Sequence, residues 1–113
     1  MRRARLRDLS PSMRLRRRVD HWANRLHIMP KVVRIQRMTR KWGSCSQSGV
    51  LSLALDLADH EGRFQDFVIV HELLHLRVRN HGRLFKTLMS LHVPGWRKLQ
   101  TSRAPEAKSI KTY

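Results

Sequence analysis

Phe67-Val68-Ile69-Val70-His71-Glu72-Leu73-Leu74-His75-Leu76 holds seven apolar residues, two imidazoles and one carboxylate. From Phe64 to Val78 apolar side chains occupy almost the whole circumference of a helix, and the pattern predicts one over about Arg63 to Arg79. A helix apolar on nearly all sides is central and buried. Residues four apart differ by about 40° around a helix and about 6 Å along it. His71 and His75 can therefore reach one ion from one side. Glu72 projects about 100° from His71, close enough to lie beside that ion without binding it. Two neutral imidazoles and a nearby carboxylate base suit a zinc hydrolase. The competing reading is a pair of core histidines bonded to backbone, but such groups are costly to bury unless paired or metallated.

A catalytic zinc needs a third protein ligand and one position left open to water. His81 is the candidate. Six residues beyond His75, a continuous helix would turn it about 240° to the wrong side. The flanking Asn80 and Gly82 both tolerate the left-handed backbone that ends helices, so a break is expected there. His60, Asp59 and His92 are reserve ligands.

Upstream, Val32, Val33, Ile35 and Met38 predict a strand, and Val50, Leu51, Leu53, Leu55 and Leu57 a second, with Ser52, Ala54 and Asp56 on its other face. The two read as a hairpin or part of a small sheet. Gly43 to Gly49 reads as a turn-rich loop between them. Ser10-Pro11 is a helix start, and Leu15, Val19, Trp22, Ala23 and Leu26 follow at helical spacing up to a break at Pro30. Arg83 to Leu91 predicts another helix, and Trp96 to Gln100 a short turn. The fold class is α+β, with a basic arm over 1–9, one domain over 10–103 and a polar tail over 104–113.

The 113 residues fit one small domain. Lys and Arg number 24 against 8 acidic residues, a net charge of +16. Residues 1–41 hold 14 of those cations against Asp8 and Asp20 alone. Such a front end attracts polyanions through counterion release, with Arg14, Arg16, Arg17 and Arg18 as the contact residues, or it is simply a solvated arm. No apolar run approaches the roughly 20 residues of a membrane helix, and no signal peptide is evident. The lone Cys45 excludes an internal disulfide framework, and a cytoplasmic location is expected. Cys45 and Trp42 read as packing residues, Trp22 and Trp96 as anchors, and His21 and His27 as surface residues.

Three blocks resemble the YgjP-like metallopeptidases, relatives of the SprT-like and minigluzincin zinc proteases. Arg40-Lys41-Trp42-Gly43-Ser44-Cys45 resembles the R-x-W-G-S-C loop, Phe67 to Leu76 the Y-V-V-V-H-E-L-x-H-L helix, and Asn80-His81-Gly82-Arg83-Leu84-Phe85 the N-H-S-x-x-F segment. The resemblance implies a zincin-like domain: a first helix, a small sheet, the HExxH helix and a C-terminal helix. It implies Zn2+ on His71, His75 and His81, with Glu72 as general base on a zinc-bound water, and a strand that pairs with an extended peptide substrate. The chain departs from the pattern at Ala54, Gly82 and Lys86, and it lacks the longer N-terminal β-rich region of typical members. A metal-dependent nucleotide phosphohydrolase, and a nucleic-acid-associated module with a structural zinc, are the alternatives to a peptidase.

Overall fold

The computed structural model describes residues 9–102. Among these the order is α1 (Pro11–Leu26), β1 (Val32–Gln36), β2 (Gly43–Cys45), β3 (Val50–Ala54), a 3-10 turn (Leu55–Asp59), α2 (Gly62–His75), α3 (Arg83–His92) and α4 (Trp96–Ser102). The architecture is the expected α+β one. The basic arm, apart from Leu9, and the polar tail with Tyr113 lie outside the described residues.

α1 begins as its sequence dictates. The Ser10 hydroxyl accepts the Met13 N–H at 3.2 Å, and Pro11 occupies the first turn, where its missing N–H costs nothing. Leu15, Val19, Trp22 and Ala23 are buried, which leaves the arginines outside. The helix ends before Pro30: His27 takes a left-handed conformation at φ 57°, and Ile28 N–H returns to the Ala23 carbonyl at 3.0 Å.

The two strands expected from hydropathy do not form a hairpin. β1 and β3 run parallel, from Val32 opposite Val50 to Gln36 opposite Ala54. The hairpin joins β2 to β3, pairing Gly43 with Leu53, Ser44 with Ser52 and Cys45 with Leu51. The first three of the seven residues expected as a loop over Gly43–Gly49 are thus a strand. Gly and Ser carry little strand propensity, and pairing with β3 overrides it. Ser46–Gly49 makes the turn, with Ser46 N–H donating to the Val50 carbonyl at 2.9 Å and Gly49 at φ 97°.

The strand order β1-β3-β2 places β3 in the middle. Leu51, Ser52, Leu53 and Ala54 are all buried, so the half-polar face expected of this strand is covered as well. Leu55 and Leu57, expected in the strand, belong to the 3-10 turn, where Leu57 packs inward.

α2 packs against β2 and β3, with α1, α3 and α4 around it. Its residues Phe67 to His75 are buried without interruption. Asp66 ties α1 to it: one carboxylate oxygen accepts Arg18 Nη1 at 2.7 Å and Trp22 Nε1 at 2.8 Å. Trp96 anchors α4, a helix where only a turn was expected. Its ring stacks on Phe67 at 6.4 Å and its Nε1 donates to Ser90 Oγ at 3.1 Å.

Candidate metal centre

α2 stops at His75, short of the Arg79 expected. Val78 N–H closes on the Leu74 carbonyl at 2.7 Å, and the chain then leaves the helix axis. The expected break is present, but neither Asn80 nor Gly82 uses the left-handed backbone that both tolerate; among the described non-glycine residues only His27 does. Asn80 acts through its side chain instead. Its Oδ1 accepts Gly82 N–H at 2.9 Å, and Gly82, in extended conformation, becomes the N-cap of α3. This turn brings His81 back over the end of α2.

The three rings converge. His75 Nε2 lies 3.2 Å from His71 Nε2 and 2.6 Å from His81 Nε2. The ligand atoms of all three lie within 4.8 Å of one another. Nitrogens about 2.05 Å from a tetrahedral ion sit roughly 3.3 Å apart, so His71 and His75 are already spaced for one. The His75–His81 gap is narrower, and it lies on the loop side.

The hydrogen bonding of His75 also fits a ligand. His75 Nδ1 lies 3.0 Å from the Val78 carbonyl oxygen, which can only accept. Nδ1 therefore carries the proton, and the neutral ring presents its lone pair at Nε2, toward the other two rings. A carbonyl that fixes the tautomer in this way is a usual companion of a metal-binding histidine.

Phe85 is the residue the sequence reading missed as a member of the site. It stacks on His75 at 4.6 Å with planes 16° apart, and it touches His81 at 4.5 Å and His71 at 5.2 Å. One buried ring on α3 thus supports all three imidazoles. The signal was present in Arg83-Leu84-Phe85, where Phe85 falls one turn after His81.

His71 and Glu72 are each 2% exposed and His75 is 8% exposed, whereas His81 is half-buried. The site therefore opens on the His81 side. Glu72 faces β2, where Gly43 lies against its Cγ. Arg77, Arg79, Arg83 and Lys86, which flank His81 in the sequence, are exposed.

The reserve ligands go elsewhere. His60 packs edge-on to Trp42 at 4.6 Å, His92 lies 6.2 Å from Trp22, and Asp59 lines a separate surface cavity with Asp56. Trp42 is buried against Phe64, as a packing residue should be, and Cys45 is half-buried in β2. Arg14, Arg17 and Arg18 line a hollow with His21 and Gln65; Arg16 is exposed and does not line it.

A model of the YgjP-like metallopeptidase domain matches residues 5–102. The chain belongs to the YgjP-like family. The crystal structure of the metallopeptidase zymogen abylysin from Pyrococcus abyssi is similar at a TM-score of 0.74 and 18% identity, over 86% of this chain and 99% of that one. The zymogen of jannalysin from Methanocaldococcus jannaschii is similar at 0.71 and 19%, over 80% and 94%. At these identities the likeness is one of fold. No curated protein matches the chain. This YgjP-like chain is thus a metallopeptidase-family protein with a histidine triad placed to hold a metal ion. Among its described residues no helix is long and apolar enough to cross a membrane.

Proposed function

We propose that this chain is a zinc peptidase in which His71, His75 and His81 hold the ion and Glu72 is the general base. The observation that carries the reading is the meeting of three imidazole nitrogens at the end of α2, the helix on which Glu72 is buried next to His71 in sequence. When bound, zinc supplies Lewis acidity and lowers the pKa of a coordinated water toward neutrality. The chain's own residues supply the rest. Val78 holds His75 in the ligand tautomer. Phe85 and Phe67 form apolar walls around the imidazoles. Glu72, buried against β2, takes a proton from the attacking water and returns it to the departing amine.

β2 supports a peptide as substrate. The antiparallel register makes Ser44–Ser52 a hydrogen-bonded pair and Gly43–Leu53 a non-bonded one. The Gly43 N–H and carbonyl therefore point to the open side of the sheet, next to Glu72, where an extended peptide can add as a further strand. The domain assignment follows the same lines, with the catalytic unit over 10–103.

The test is Glu72→Gln. It should retain one zinc per chain and lose peptide hydrolysis by about 10²-fold or more. Unchanged turnover of a quenched fluorescent peptide would remove Glu72 from the role of base. One observation favours a second substrate class. The exposed cations that flank His81 in sequence, Arg77, Arg79, Arg83 and Lys86, suit an anionic substrate, such as a nucleoside triphosphate. Hydrolysis of triphosphates but not peptides, again dependent on Glu72, would select that reading. Polyanion contact through Arg14, Arg17 and Arg18, with Arg16 on the far face, is a separate property; its signature is binding that weakens steeply with salt.

A further inference from the structure

We propose that Gly43 is a positioning residue for Glu72: its missing side chain lets the edge strand rest directly on the carboxylate's methylene and so fixes where the base points. The inference rests on the reading of Glu72 as general base.

The site of contact is tightly enclosed. A Cβ at Gly43 would lie 3.0 Å from Glu72 Cγ, 3.1 Å from Val68 Cγ1 and 3.3 Å from Leu53 Cδ2. All three neighbours are buried, Val68 and Leu53 completely. Glu72 and Val68 lie one turn apart on α2 and Leu53 is on the central strand β3, so none can recede without disturbing the core. Gly43 is not glycine for the sake of its backbone, since its φ is not in the positive range. The requirement is one of space. Every larger residue would press on Val68, Leu53 and the Glu72 Cγ together.

Of these three, Glu72 alone carries chemistry. Its Cγ is the pivot of the carboxyl group, so a shift of a few tenths of an ångström there swings the oxygens further. Catalytic groups tolerate displacements of only about 0.5 Å from productive geometry. Gly43 also presents its peptide N–H and carbonyl outward, on the strand edge next to the base. The same close approach thus sets the distance between the base and a peptide added to that edge.

The experiment compares Gly43→Ala, Val68→Ala and the double variant Gly43→Ala/Val68→Ala in the zinc-loaded chain, with Glu72→Gln as reference. In Gly43→Ala, kcat on a quenched fluorescent peptide should fall about tenfold or more, as expected for a misplaced catalytic group. KM and zinc affinity should stay within about twofold, because the ligands and strand edge remain. Val68→Ala removes one wall and gives the new methyl room, so the double variant should recover kcat to the level of Val68→Ala alone. A second readout needs neither zinc nor turnover. The side-chain carboxyl 13C signal of Glu72, assigned by its loss in Glu72→Gln, should move in metal-free Gly43→Ala and return in the double variant. If Gly43→Ala does not fold, the double variant alone carries the test through kcat and the same signal.

Full kcat in Gly43→Ala with an inactive Glu72→Gln overturns the positioning role. So does a double variant that remains as slow as Gly43→Ala. An active Glu72→Gln overturns instead the reading on which the proposal rests.

Discussion

Phe85 is the residue whose substitution best separates packing from ligand support. Phe85→Leu removes the ring under three imidazoles. Phe64→Leu removes an equally buried ring that packs on Trp42, His60 and Phe67, away from the triad. Both should destabilise the fold. Only Phe85→Leu should also weaken zinc binding, by roughly tenfold, as loss of a ligand-orienting neighbour does. Competition with a chromogenic chelator measures it, and equal affinities in the two variants would assign Phe85 to packing alone. His92 offers a prediction in pH. Desolvation first, and the Arg25 charge second, hold its pKa below the usual 6.5. The unfolded chain therefore takes up this proton more readily, and stability falls as pH drops below 6.5 toward the folded value. Trp22 and Arg25 are the groups facing it. Urea midpoints of His92→Gln should fall less between pH 7 and 5.5 than those of the native chain.

Among the elements, α1 and α2 depend on Asp66. Asp66→Ala strands the Trp22 indole N–H and releases Arg18. Stability should drop by about 1–3 kcal/mol, the cost of a buried donor left without its acceptor. Asp66→Asn keeps an acceptor and should lose less; urea denaturation decides between them. The first three helices were legible because each carries local instructions, whereas α4 reads only as a turn. Ser10-Pro11 starts α1, and the apolar run of α2 places it at the centre. HExxH spacing likewise put His71 and His75 on one side of α2, where their Nε2 atoms lie 3.2 Å apart. The sheet was less legible. Gly43-Ser44-Cys45 becomes a strand only because β3 lies beside it, and the parallel pairing of Val32 with Val50 joins segments far apart in sequence. Phe85 and Gly43 were hidden for the same reason. One acts by what it touches and the other by what would touch it; spacing sets Phe85 one turn after His81 but does not show the ring contacts, and it carries no trace of the close approach at Gly43.

For the molecule as a whole, a metal held by the triad would be coupled to folding. Ligands from the end of α2 and from the turn before α3 meet at one point only in the folded chain. Zinc at a hundredfold excess over its dissociation constant should stabilise the fold by about 2.7 kcal/mol. A chelator should return the urea midpoint to the metal-free value. His81→Ala should abolish most of the shift while leaving the metal-free stability nearly unchanged, because His81 is only half-buried.

A bound ion would be gripped unequally. His71 and His75 are fixed on one rigid, buried helix turn, whereas His81 hangs from the short turn held by Asn80. Release should therefore proceed in stages, the outermost imidazole peeling off before the inner pair lets go. An incoming chelator can occupy the vacated position and draw the ion out by handover. Zinc would then leave faster as competitor concentration rises, instead of at a constant spontaneous rate.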